Sequence, residues 1–237
     1  MLDQPRVYLG CDTGEAREGL GRDIENALLP YVSAVSIACG GHAGDEESMR
    51  EAITSAAKHG CLIGAHPSYP DREGFGRRDL EVDRASLGLS LKAQLSTFAQ
   101  IAEECNATVS MIKAHGALYH AIARDLELAH WYWSICTSIF PQSRFVAPIG
   151  SSVLDEFRSL GRAIFAEGFC DRAYGSDGAI RPRTNAGAII SSPELAARQA
   201  ERLVHESNCQ LLCIHSDSEN AIAIARAVKA RFLELGL

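Results

Sequence analysis

Residues 34–66 read AVSIACGGHAGDEESMREAITSAAKHGCLIGAH, and the succession of textures in that run decides the fold. Ala34–Cys39 is short and almost wholly apolar, as expected of a strand covered on both faces. Gly40–Asp45 is small, polar and glycine-rich, and it carries His42. A helical pattern then runs over Asp45–His59, opened by Asp45-Glu46-Glu47, whose negative charge complements the helix dipole. Gly60 follows Lys58-His59, as a helix stop should. Cys61–His66 repeats the strand texture and again ends in a histidine. The run is one strand–helix–strand unit with reactive side chains where each strand gives out.

The same alternation extends in both directions. Strands are expected at Val7–Asp12, Val109–His115, Arg144–Ile149, Arg162–Glu167 and Gln210–His215. Gly187–Ile190 is either an extra strand or part of a long excursion. Helices are expected at Asp83–Glu104, Ala117–Phe140, Ser151–Leu160, Pro193–Glu206 and Glu219–Leu235, with a short one near Asp23–Leu28. Ser192-Pro193 reads as N-cap followed by the first helical position. About seven such units predict an α/β fold, a seven-stranded parallel β/α barrel, with a doubly wound open sheet as the structural alternative. No linker, low-complexity stretch or internal repeat interrupts the chain, so one domain over residues 1–237 is expected.

The 237 residues are 46% hydrophobic and 22% charged, the balance of a globular protein able to bury a core. The formal net charge is −7, and Lys and Arg form no basic block, which argues against nucleic acid. No basic region followed by an apolar stretch opens the sequence and no window resembles a membrane span, so neither a signal peptide nor a membrane association is expected. The eight cysteines are not spaced as CxxC pairs; reduced thiols in a cytoplasmic chain fit best.

Polar groups collect just after the strands: Asp12 and Glu15, His42, His66, Lys113 and His115, Asp171 and Arg172, then His215 and Asp217. In a barrel or an open α/β sheet these strand ends share one face, where active sites are built. Asp12, Glu15, His42, His66, Lys113 and His115 are the candidate catalytic residues. Two long polar segments add candidates for substrate binding. Pro67–Arg78 is a candidate lid with Arg77 and Arg78, and Phe169–Arg183 carries Asp171, Arg172, Tyr174, Asp177, Arg181 and Arg183. Arg77, Asp171, Arg172, Arg183, His215 and Asp217 are taken as substrate-binding, since arginine forks suit carboxylate or phosphate. Asp12, His42 and His66 could also hold a divalent metal with one position open. There is no GxxxxGK[ST], no GxGxxG and no GxSxG, so no familiar nucleotide loop or nucleophile elbow is present.

The segments CDTGE (11–15), IACGGHAGD (37–45), IGAHPSYPDREGFGRR (63–78), IKAHGALYH (112–120), EGFCDRAY (167–174), RPR (181–183) and IHSD (214–217) together resemble the LamB/YcsF family, the A subunits of bacterial 5-oxoprolinase. That resemblance implies a barrel related to glycoside hydrolase and deacetylase barrels. It also implies ATP-dependent opening of 5-oxo-L-proline, a small lactam, to L-glutamate with subunits B and C, ATP acting with Mg, and leaves a homo-oligomer open. The chain departs from the family pattern at Tyr8, Gly10 and Ser36, where acidic or amide side chains are usual, and at Gly41, Ala114, His120 and Ser216. If Asp12 points inward, strand alternation turns Tyr8 and Gly10 inward too. Such a rewritten interior patch would suit a divergent relative with altered substrate or reduced activity. Two other functions stay open: a metal-dependent deacetylase or amidohydrolase acting without ATP, and a non-catalytic lactam-binding subunit.

Overall fold

The computed structural model describes residues 7–16, 19–175 and 178–237. Seven strands run in chain order: β1 (Tyr8–Thr13), β2 (Ala34–Ala38), β3 (Leu62–His66), β4 (Val109–Ile112), β5 (Arg144–Pro148), β6 (Ile164–Phe169) and β7 (Leu211–Ile214). Each pairs in parallel with the next, and β7 pairs back to β1 through Tyr8 with Leu211 and Cys11 with Ile214. The sheet is therefore closed, which decides between the two architectures the sequence allowed. Around it lie α1 (Leu20–Leu28), α2 (Glu46–Lys58), α3 (Arg84–Glu104), α4 (Gly116–Arg124), α5 (Leu126–Ile139), α6 (Ser152–Ser159), α7 (Pro193–Ser207) and α8 (Ala221–Leu235). No helix among the described residues is long and apolar enough to cross a membrane.

Alternation along the strands sorts side chains between two cores. Val7, Leu9 and Cys11 join Val35, Ile37 and the apolar helix faces in the outer layer. Tyr8, Ala34, Met111, Val146, Phe165 and Leu211 fill the lower barrel, with Tyr8 edge-on to Phe165 at 5.5 Å between ring centres. Gly10 lies against this cluster: a Cβ there would stand 3.2 Å from Leu211 Cδ1 and 3.4 Å from the Ala34 carbonyl. Tyr8 and Gly10 thus face inward with Asp12. Above the apolar floor the buried residues turn polar, with Asp12, Ser36, His66, Lys113 and Glu167. This upper end is the carboxyl end of the strands.

Local chemistry fixes the element ends. Asp45 accepts from the Ser48 amide at 2.9 Å while Ser48 Oγ accepts from the Asp45 amide at 2.8 Å, a reciprocal cap that starts α2 immediately beyond the His42 loop. The single helix expected over Ala117–Phe140 is two helices. Asp125 leaves helical geometry and its carboxylate accepts from the Leu128 amide at 3.0 Å, so the residue ends α4 and caps α5. β4 is shorter than expected because pairing with β5 ends at Ile112. On its other edge the chain still tracks β3, through Lys113 N to Ala65 O at 3.0 Å and His115 N to Pro67 O at 2.9 Å. Gly187–Ile190 is no barrel strand; within it, Ile189 makes a lone antiparallel bridge to Arg172.

The segment Pro67–Arg78 is laced down rather than hinged. Asp71 accepts from the Gly74 amide at 2.9 Å and from Arg78, which also contacts Glu73. Arg72 donates to the Gly40 and Gly44 carbonyls at 3.0 and 2.8 Å, and Ala117 N donates to Gly76 O at 2.9 Å. Arg78, read as a candidate anion ligand, is therefore spent on the loop's own carboxylates.

Candidate active site

The barrel's upper end is organised around Lys113, which β4 carries inward just past its last paired residue. Its Nζ lies 2.9 Å from Asp12 Oδ1, 2.9 Å from Glu167 Oε1 and 3.3 Å from Cys213 Sγ, and the residue is only 4% exposed. The Glu167 contact is an ion pair whose angles fall short of a hydrogen bond. Burial would favour a neutral amine, but Asp12, Cys213 and Glu167 hold the ammonium pKa well above its ordinary value. Burial likewise opposes the Asp12 carboxylate, yet Lys113 and His66 keep it well below the usual range. The floor is therefore a fixed cation flanked by a fixed anion.

One wall is a group of imidazoles. His66 Nδ1 lies 2.8 Å from the Lys113 carbonyl, and its Nε2 lies 3.0 Å from His115 Nδ1. His115 Nε2 lies 2.9 Å from the Phe75 carbonyl. His42 stacks on His115, rings parallel with centres 3.6 Å apart, and its Nε2 lies 3.0 Å from Glu15 Oε1. Phe75 closes the group, edge-on to both His42 and His115. Burial, reinforced by the neighbouring rings, pushes the pKa of His42 down to about 2 and that of His115 down to about 3. Burial and Asp12 raise that of Glu15. The loop bearing Glu15 is set by Glu25 of α1, whose carboxylate accepts from the amides of Gly14, Glu15 and Ala16 at 2.8, 3.2 and 3.0 Å. Glu25 is itself pushed up to about 7 by burial, against the pull of those amides.

The mouth is cationic. Arg77 and Arg183 both donate to Asp217 Oδ2, at 3.0 and 2.9 Å, and Arg172 donates to the Arg181 carbonyl at 2.7 Å. Arg172 Nε is buried without a hydrogen-bond partner among the described residues. His215 stacks on Phe169 and turns Nδ1 to Asp171 at 3.0 Å, which leaves Nε2 as the ring nitrogen available to the cavity. Asp171 also accepts from the His215 amide and from Ser218. Despite burial, His215 and Ser218 hold the Asp171 carboxyl below its ordinary pKa. The cavity between floor, wall and mouth is about 480 Å³.

Of the residues singled out in the sequence, Asp12, His66, Arg77, Lys113, His115, Arg172, Arg181, Arg183 and His215 line this cavity, with Ala114 and His120 among the departures from the family pattern. Glu15 and His42 stand behind the imidazole wall. Asp171 is buried behind His215 and Asp217 bridges two arginines, so their carboxylates are already engaged by protein. Of the triad expected from sequence, His42 and His66 belong, with Glu15 and His115, to a set of donors lying within 4.8 Å of one another. Asp12 places Oδ1 on Lys113 and Oδ2 3.5 Å from His66 Nε2. Asp177 lies outside the described residues. Three participants carried no assigned role in the sequence. Glu167 was detectable as an acid inside an apolar strand in register with Phe165 and Phe169; Tyr119, in α4, lines the cavity; Glu25 left no local signal.

The sequence model of the LamB/YcsF family matches residues 7–237. A 5-oxoprolinase A subunit from Agrobacterium fabrum is 35% identical over 241 residues, covering 95% of this chain and 93% of that protein. The crystal structure of a lactam utilization protein from Thermus thermophilus superposes with a TM-score of 0.87 at 32% identity, covering 98% of this chain and 97% of that one. A family 4 carbohydrate esterase from Streptomyces lividans, 13% identical, shares the fold alone, with a TM-score of 0.53 over 98% of this chain and 89% of that one.

Proposed function

The chain belongs to the LamB/YcsF family, and from that premise we propose that it is the A subunit of a 5-oxoprolinase, opening 5-oxo-L-proline to L-glutamate with partner subunits B and C. The observation that supports this most is the cavity: small, ringed by arginine at its mouth and floored by a buried Lys–Asp pair. A five-membered lactam with a carboxylate needs a cationic anchor at one end and proton-transfer groups at the other. Arg172 and Arg183 suit the carboxylate, since guanidinium forks match its geometry.

The amide has to gain water across its C–N bond. Oxygen adds to the carbonyl carbon, the C–N bond breaks, and the ring nitrogen takes a proton to leave as an amine. Lys113, fixed in its charged form, stabilises negative charge on the carbonyl oxygen. The nitrogen face of His66 and His115 holds the attacking water. His215, oriented by Asp171 as a histidine is in a carboxylate–imidazole dyad, takes through Nε2 the proton that water releases as its oxygen adds, and returns it to the ring nitrogen as the C–N bond breaks. ATP is a requirement of the assembled enzyme in this reading. The chain has no glycine-rich phosphate loop to cradle it, and no step above runs through it.

The test is reconstitution. This chain, mixed with B and C subunits, 5-oxoproline and ATP, should form glutamate, and His215→Ala should abolish it. An assembled complex that forms no glutamate, or a His215→Ala complex with undiminished turnover, would remove the assignment. A second reading, amide hydrolysis without ATP, is favoured by one observation, the convergence of Glu15 with three histidines. Turnover by the isolated chain without nucleotide would replace the first reading with that one. Gly10 and Ser36, which offer no amide beneath the floor, make a panel of lactams of other ring sizes part of the same assay.

A further inference from the structure

The imidazole wall poses a proton-counting problem. A carbonyl oxygen can only accept, so His66 Nδ1, 2.8 Å from Lys113 O, carries hydrogen. By the same rule His115 Nε2, 2.9 Å from Phe75 O, carries hydrogen. In neutral rings the remaining nitrogens, His66 Nε2 and His115 Nδ1, are then bare lone pairs, and they face each other at 3.0 Å. Glu15 Oε1, a third electron-rich atom, lies 3.3 Å from His115 Nδ1. Three acceptors so disposed attract a cation between them.

The distances also select the kind of cation. Ligands about 2.0–2.2 Å from one divalent ion, at angles from octahedral to tetrahedral, stand roughly 2.8–3.6 Å apart. Metal-bound histidines characteristically donate their other N–H to a backbone carbonyl or carboxylate, which fixes the tautomer. Both rings do this. His42 is excluded by its stacking: the rings are parallel to 1° with centres 3.6 Å apart. An ion in the plane of His115 lies a full ring spacing from the plane of His42, out of reach of an in-plane lone pair. His42 instead supports Glu15 through Nε2.

We propose that His66 Nε2, His115 Nδ1 and Glu15 Oε1 form a divalent transition-metal site, with its open position on the cavity side. Two imidazoles and a carboxylate suit zinc and cobalt. The set differs from the Asp-His-His triad read from sequence by exchanging Asp12 and His42 for Glu15 and His115. A bound ion would supply Lewis-acid character at the face where His66 and His115 hold the water, and the site does not depend on which amide is the substrate.

The experiment reads metal directly, so a failed lactam assay and a failed metal assay are distinguishable. Chelator-treated full-length protein is titrated with Zn²⁺ by calorimetry and with Co²⁺ by visible absorption. One equivalent should bind. His66→Gln, His115→Gln and Glu15→Gln should each weaken binding by more than about 100-fold, whereas His42→Phe, which keeps a stacking ring, should keep one-to-one binding, weakened about tenfold as a change behind the ligands does. Circular dichroism identifies any variant that fails to fold, and the remaining ligand variants then decide. No binding by the wild type would overturn the site. Loss in His42→Phe as deep as in His115→Gln would overturn the donor set.

Discussion

Replacing Lys113 by Met should invert the pH dependence of stability. In the wild type the buried ammonium stands between two buried carboxylates, each at 2.9 Å. The Asp12 carboxyl has a folded pKa below its unfolded value, so its contribution is present above the ordinary range near 3.8 and is lost as pH falls through the folded value. The shorter, uncharged methionine side chain fills most of the stem's volume but leaves Asp12 and Glu167 as uncompensated acids. Removing one partner of a buried pair costs about 3–5 kcal/mol. For a domain of this size that is a fall in Tm of roughly 6–20 °C near pH 8. Without Lys113, burial outweighs the pull of His66 and His215 on Asp12, so its carboxyl binds protons more readily folded than unfolded. Its contribution is then largest at low pH and is lost as pH rises. Each unit of upward shift is worth about 1.4 kcal/mol in full only below the unfolded value, so pH 5 recovers part of it relative to pH 8. Urea unfolding of both proteins at pH 5 and pH 8 measures this. The reasoning fails if the variant loses less than about 1 kcal/mol at pH 8, or if its pH dependence parallels that of the wild type.

Gly116→Ala should lose about 2–5 kcal/mol in urea unfolding, from the left-handed backbone and the overlap together. Gly116 has φ +57° and a Cβ there would stand 2.4 Å from the Gly76 carbonyl, so a cost below about 1 kcal/mol would show that the loop yields freely. Arg172→Ala and Arg183→Ala should each weaken binding of 5-oxoproline about 10–100-fold by calorimetry, as expected for charged hydrogen bonds. They should leave an uncharged lactam such as 2-pyrrolidinone unaffected; equal losses for both would place the carboxylate elsewhere. Asp171→Asn should lower kcat of the reconstituted complex about 100-fold or more with KM little changed. A KM effect alone would return His215 to substrate binding.

The barrel was legible because its strands are buried on both faces and each ends in a run of small and polar residues. Ser192-Pro193 and Asp45 marked α7 and α2 for the reason they cap them, as local hydrogen bonding written in adjacent residues. The Asp125 break was equally local, but it lay inside a continuous helical pattern that masked it. The site was legible as a set of strand ends and not as a set of roles. Register determines that Asp12 meets Lys113, 101 positions away. Stacking determines that His42 supports Glu15. Neither relation has a trace in spacing along the chain. Asp171 and Asp217 look like ligands in sequence because acids beside arginines usually do; in three dimensions their partners are already within the protein.

Glu25 sits in a helix outside the barrel, yet its two oxygens gather three successive amides of the segment that ends in Glu15 and Ala16. The short CDTGE signature therefore specifies a carboxylate without specifying where it points. Transplanted into another scaffold, that pentapeptide would bring the chemistry and leave its aim behind, unless the distant helix travelled with it.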